Sequence, residues 1–219
     1  MRAMHRATLA FALALASTRA LSQQRVPWDV LRFVEQSSKF ITLPFAPTPR
    51  ARVIQPGESL GPLELYPLDD VVMGGASSST YSRGRWSGSV TSANNGGFVG
   101  ARSKALALDL TRCAGLALTV ASDGALRRYK CGLRDSTDFN GIVYTASFDA
   151  DGSAEQTLTL PFETFVPTRF AKTVPGASLD RRNVRAFQLA LSKFEYDGGL
   201  SPAFREGPFR LDVLDVRTY

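Results

Sequence analysis

The chain has 219 residues, 44% hydrophobic and 21% charged, the balance of a globular protein with one sizeable core rather than a disordered chain. Its formal charge of +6 sits largely at the front: Arg2, Arg6, Arg19 and Arg25 precede the first carboxylate, Asp29, and the remainder carries about +2. A body so near neutrality exerts no strong global pull on nucleic acid or anionic membrane. The single histidine, His5, leaves the rest of the chain without Ser-His-Asp or Cys-His catalysis and without most zinc, copper and non-haem iron sites.

In chain order, residues 1–22 read as a targeting peptide. Met1–Arg6 is a short basic region, and Ala7–Ala16 is an apolar run too short to span a bilayer. Ala14 and Ala16, or Ala20 and Ser22, offer two cleavage points. The layout fits a secretory signal and an organelle transit peptide alike, so import into a mitochondrion or plastid and secretion both stand. Residues 23–52 predict a short helix and a connector. The helix runs over Trp28–Phe40, with Trp28, Leu31 and Val34 as its apolar edge, and prolines at 44, 47, 49, 56 and 62 then predict an extended surface connector.

Across residues 53–219 the apolar period changes to two. Trp86 and Val90, then Leu106, Leu108 and Leu110, then Leu116, Leu118 and Val120 each share one strand face. The pattern continues through Ile142, Tyr144, Ala146 and Phe148, then Leu158 and Leu160, then Phe187, Leu189 and Leu191, and finally Phe209, Leu211 and Val213. Turn chemistry separates the runs at 94–97, 122–124, 149–152 and 197–199. Many short alternating strands without helical period predict an all-β, antiparallel β-sandwich with one short N-terminal helix. Cys113 and Cys131 are too few for a disulfide framework; one bridge and two buried thiols both remain open.

Several side chains could carry chemistry. The adjacent carboxylates Asp69 and Asp70 could begin a Ca²⁺ site or cap turn N–H groups. Met73-Gly74-Gly75 reads as a tight bend with Met73 plugging the sandwich edge, or as part of a partner-binding rim. Asn94–Gly97 predicts a hairpin turn leading into a core Phe98. Arg102 is expected to pair with Asp69 or Asp70, the other reading being a ligand-binding arginine. Two basic sets, Arg127-Arg128-Lys130 and Arg181-Arg182-Arg185, read as solvated faces or as contacts to RNA phosphates or acidic protein. Phe162, Phe165 and Phe170 read as core, or as an exposed patch for a client. No carboxylate pair stands out for acid–base work, so no catalytic residue, cofactor or metal is expected, and no G-x-G-x-x-G or phosphate loop is present.

The order of these blocks resembles the complex I intermediate-associated protein 30 (CIA30) family. Asp70-Val71-Val72-Met73-Gly74-Gly75-Ala76-Ser77 is similar to the family's Asp-x-Val-Met-Gly-Gly-x-Ser signature. Trp86-Ser87-Gly88-Ser89-Val90, then Gly96-Gly97-Phe98 and Arg102, resembles its second block, and Asp123-Gly124 with Tyr129 resembles its Asp-Gly turn. Leu160-Pro161-Phe162 with Phe165 and Pro167 is similar to a later segment. Tryptophans common before the first signature and before Leu160 are absent here. The resemblance implies a galactose-binding-like jelly roll over 53–219. It also implies a non-enzymatic chaperone that binds protein subunits of a respiratory or photosynthetic complex and meets the membrane only through that client. Asp70, Met73, Gly74, Gly75, Ser77, Gly96, Gly97, Phe98, Arg102, Asp123, Gly124 and Tyr129 are the family-signature residues and the candidate partner surface. A carbohydrate-binding module of a secreted protein and an RNA-associated plastid factor are the alternatives.

Overall fold

A computed structural model describes residues 29–40, 49–152 and 154–219. The targeting peptide, Trp28 and the first part of the Pro-rich connector lie outside the described residues.

Among the described residues one α-helix, α1 (Val30–Ser38), precedes fourteen strands. Asp29 caps it by accepting a hydrogen bond from the Arg32 N–H at 3.0 Å. The strands are β1 (Arg52–Val53), β2 (Leu65–Pro67), β3 (Ser78–Ser82), β4 (Arg85–Val90), β5 (Phe98–Ser103), β6 (Leu108–Asp109) and β7 (Gly115–Ser122). They continue with β8 (Arg127–Arg134), β9 (Val143–Ala150), β10 (Gln156–Pro161), β11 (Val166–Arg169), β12 (Lys172–Thr173), β13 (Ala186–Ser192) and β14 (Gly207–Thr218).

Two antiparallel sheets stack face to face, one in the order β10-β7-β14-β4-β3 and one in the order β12-β11-β9-β8-β13-β5-β2. A small parallel pair, β1 with β6, sits beside them, so part of the expected connector is strand and Ile54 is fully buried. Successive strands repeatedly change sheet: β2 to β3, β4 to β5, β7 to β8, β9 to β10 and β13 to β14 each cross over. That is the antiparallel sandwich expected from the alternation, in the jelly-roll form that the family resemblance implies.

The inward faces are the predicted ones. Trp86, Val90, Leu116, Leu118, Val120, Phe187, Leu189, Leu191 and Leu211 are fully buried, because residues two apart on a strand share a face. Trp86 meets Phe209 edge-on at 4.9 Å, and Tyr129 stacks on Phe148 at 5.7 Å. In β14 a bulge between Val213 and Asp215 shifts the register, exposes Leu214 and returns Val216 to the core. Cys113 and Cys131 are both free and buried, and burial pushes the Cys131 thiol far up.

Several expectations are corrected. Asn94–Gly97 is not a hairpin turn: it carries the chain from β4 in one sheet to β5 in the other, and Phe98 is half-buried rather than core. Met73 does not plug the sandwich edge; its side chain is 69% exposed. On α1, whose packing the sequence left open, Leu31 and Val34 of the apolar edge face solvent while Gln36 is buried. Phe165 is core, Phe162 packs at its margin, and Phe170 is exposed at the tip of the β11–β12 hairpin.

Candidate functional site

Eight of the signature residues, Asp70, Met73, Gly74, Gly75, Ser77, Gly96, Gly97 and Phe98, lie where β2 crosses to β3 and β4 crosses to β5. Asp69 and Asp70 enter a 3₁₀ turn, Asp70–Met73, that ends at Gly74 in the left-handed region (φ 86°). Both carboxylates are fully buried.

Asp70 is a four-way acceptor. Its Oδ1 accepts from the Ser77 N–H (2.9 Å), while Oδ2 accepts from the Ser77 hydroxyl (2.7 Å), the Gly97 N–H (2.8 Å) and the Phe98 N–H (3.3 Å). Ser77 Oγ in turn accepts from the Thr91 N–H and lies 3.1 Å from the Thr91 carbonyl, and the Asn94 side-chain amide donates to the Gly74 carbonyl. The two signature blocks are therefore one hydrogen-bonded unit with Asp70 at its centre. Gly75 and Gly96 allow it: a Cβ on either would lie 2.3 Å from an Asp70 side-chain atom, closer than van der Waals contact permits.

Asp69 organises the other side. It accepts from the Ser79 hydroxyl (2.6 Å) and N–H (2.8 Å), from the Gln36 amide (3.1 Å) and from Arg32 (3.2 Å). Its own N–H donates to Gln36 Oε1 at 2.8 Å, so Gln36 and Asp69 make a reciprocal pair. Burial raises the Asp69 pKa, opposed by hydrogen bonds from Ser79 and Gln36 and by the Arg32 charge. Both acids thus act as caps and anchors. Among the described residues no group of three or more His, Cys, Asp or Glu side chains could hold a metal ion.

Arg102 does not pair with either aspartate. Strand alternation puts Val99, Ala101 and Ser103 inside, so Arg102 points to the outer face of the seven-stranded sheet, where Nε donates to Gln188 Oε1 at 3.1 Å. Asp123, Gly124 and Tyr129 belong to a separate crossover, β7 to β8. Asp123 faces Arg127 at 3.8 Å, Gly124 takes φ 91°, and Tyr129 is an interior residue. Burial pushes the Tyr129 phenol well above its usual value.

The first basic set is not a solvated face. Arg127 is buried and donates to the Arg205 and Pro208 carbonyls; Lys130 is buried and donates to the Phe194 and Glu195 carbonyls. Arg128 binds Asp149 through both nitrogens of its fork, at 2.7 and 2.6 Å. Of the second set, Arg181 donates to the Cys113 carbonyl and lies over the Phe162 ring. With Arg127, Arg128 and Lys130 committed internally, that set offers few donors to RNA phosphates.

The same contacts fill much of the outer face of the seven-stranded sheet. Tyr196 donates to the Thr145 carbonyl, and the Ser147 hydroxyl donates to Glu195, so the 193–200 loop lies across β8 and β9. An open groove of about 690 Å³ remains at the edge of the sandwich, bordered by Tyr66, Tyr81, Arg83, Asp215 and the 59–65 segment. No helix among the described residues is long and apolar enough to cross a membrane.

Reasoning from sequence missed Arg32, Gln36, Ser79 and Gln188. Arg32 and Gln36 stand four apart on one helix face, a spacing that could have marked the docking side.

Among the solved structures that this chain resembles are two carbohydrate-binding domains. One is the family 11 carbohydrate-binding module from Clostridium thermocellum in complex with a β-1,3-1,4-mixed-linked tetrasaccharide, at TM-score 0.50 and 17% identity over 75% of this chain and 92% of that one. The other is the family 11 module of the cellulosomal cellulase Lic26A-Cel5E of the same organism, at TM-score 0.50 and 16% identity over 75% and 95%. At such identity the likeness establishes a shared sandwich fold and nothing about ligands. A search of curated proteins finds no match. The family description "Complex I intermediate-associated protein 30 (CIA30)" matches residues 58–213, the span that holds the Asp70 unit and both sheets up to the middle of β14, and the chain belongs to that family.

Proposed function

We propose that the protein is a non-enzymatic assembly factor that holds intermediates of a membrane protein complex, complex I or a photosynthetic complex, inside a mitochondrion or plastid. Family membership directs the reading to complex I assembly. The observation that carries it is the way α1 is mounted. Arg32 and Gln36 fasten its polar side to Asp69, which leaves Val30, Leu31 and Val34 facing solvent, with Met73 exposed on the turn that α1 contacts. A helix anchored by polar groups and displaying its apolar residues inverts the usual amphipathic arrangement. Such a strip suits a client subunit whose apolar surface must be covered until its next partner arrives.

The test is full-length protein carrying Leu31→Ser and Val34→Ser. The expected result is lost co-migration with complex I or photosystem intermediates on native gels, with the unfolding midpoint within about 2 °C of wild type, since exposed apolar side chains contribute little to stability. Undiminished co-migration would remove the helix from the interface. A second reading, carbohydrate binding, draws on Tyr66 and Tyr81 bordering the open groove. Glycan-array binding lost on Tyr81→Ala would support it, and a blank array would dismiss it.

A further inference from the structure

Arg102 stands on β5 directly across from Tyr66 on β2 and Gln188 on β13. Its guanidinium lies over two rings, Phe40 at 5.2 Å and Phe139 at 5.6 Å, which are themselves 6.5 Å apart and tilted by 48°. Nε is bound to Gln188, while the Nη edge has no acceptor among the described residues. Those residues hold every carboxylate of the chain, because 1–28, 41–48 and Ser153 contain no Asp or Glu. None of the ion pairs includes Arg102.

The charge acting on Arg102 itself is alike, from Arg134, while Asp138 and Asp135 act on Arg134 and Glu64 accepts from the Tyr66 hydroxyl. Arg134 acts on Arg102 electrostatically, with its own donors committed to the Asp138 and Phe139 carbonyls. Lys39 and Lys104 lie over the Tyr66 ring at 5.8 and 5.0 Å, and of these Lys39 is matched by Glu35. Burial, then Arg134, pulls the Arg102 pKa down to about 9, which still leaves it cationic at neutral pH. A half-buried cation with no carboxylate paired to it is an arrangement that an anion on its open edge would relieve.

We propose that Arg102 is an oxyanion receptor, taking a carboxylate or phosphate group edge-on through its Nη atoms, with Phe40 and Phe139 as an apolar wall and Lys104 and Arg134 supplying the attracting field. The ring pair limits how the guanidinium can turn, which suits the two-point geometry that a planar fork makes with such oxyanions. The inference does not rest on the assembly role.

The experiment uses full-length, ¹⁵N-labelled protein and follows the arginine Nε–Hε resonances, with that of Arg102 identified by its absence in Arg102→Lys. Inorganic phosphate and, separately, acetate are titrated against sodium chloride at matched ionic strength. The expected result is a saturable shift of the Arg102 resonance, with an unfolding midpoint raised by the same anion in wild type and not in Arg102→Lys. A response to phosphate alone assigns a phosphate group, and a response to acetate assigns a carboxylate. If Arg102→Lys fails to fold, Lys104→Gln, on the exposed rim, is expected to weaken the same titration severalfold. A resonance unmoved by both anions, a shift that chloride reproduces, or a midpoint rise shared by Arg102→Lys overturns the proposal.

Discussion

Replacing Asp70 by asparagine changes two atoms' chemistry and almost no volume, so its effect isolates the hydrogen bonding that joins the two signature blocks. With the amide nitrogen at the Oδ2 position three acceptor contacts are lost, from the Ser77 hydroxyl and the N–H groups of Gly97 and Phe98. With the nitrogen at Oδ1 only the Ser77 N–H contact is lost, so the side chain settles that way. The Ser77 N–H then faces an amide N–H in a site closed to water. A hydrogen bond to a charged group is worth about 1.5–3 kcal/mol, and a stranded buried donor costs about 1–3 kcal/mol. The two overlap, and Asp70 also spends desolvation energy on its charge, so the net loss is about 3 kcal/mol. For a chain of this size that lowers the thermal midpoint by about 6–12 °C. Urea unfolding followed by fluorescence of the buried Trp86 measures it, with the slope against urea unchanged if only stability is affected. A midpoint within about 2 °C of wild type would refute the claim that Asp70 ties β2–β3 to β4–β5.

Three further outcomes follow from the same contacts. Gly96→Ala sets a methyl 2.3 Å from Asp70 Oδ2, and overpacking of that kind should cost about 2–3 kcal/mol in the same urea assay. Tyr129→Phe removes a buried hydroxyl that has no hydrogen-bond partner among the described residues, so stability should rise by about 1 kcal/mol; a loss of that size would reveal a partner. Asp69 has its pKa raised by burial, so the native state holds that proton more tightly than the unfolded chain does. Its contribution is therefore fully present below the unfolded value of about 3.9 and declines as pH rises through the higher folded value. The stability of wild type minus that of Asp69→Asn should fall over that interval and then level off; a difference that climbs with pH contradicts the assignment.

The sandwich was legible because its core strands obey one simple rule. Trp86 with Val90, Leu116 with Val120 and Phe187 with Leu191 stand an even number of residues apart on one strand face and are all buried. The β14 bulge breaks that rule, and nothing in Val213-Leu214-Asp215 announces where a register shift falls. Asn94–Gly97 shows a different limit. Its residues state that the chain turns, and Asn94 and Asn95 do take positive φ, but local chemistry does not say which sheet receives the next strand. Arg102 was misassigned although the alternation of Val99, Ala101 and Ser103 already placed it away from the core. Its Gln188 and Phe139 neighbours come from distant parts of the chain and only the fold brings them together. The capping of Asp69 and Asp70 was readable as turn chemistry. The docking of α1 was not, because its apolar residues drew attention away from the Arg32–Gln36 side that makes the contact.

The role in assembly is tested most directly by following tagged full-length protein into the cell and resolving it on native gels after gentle detergent extraction. The expected result is that it enters a mitochondrion or plastid and migrates with intermediates of complex I or of a photosynthetic complex, and not with the finished enzyme. Migration as a free, secreted monomer would contradict that role while leaving the jelly-roll fold intact.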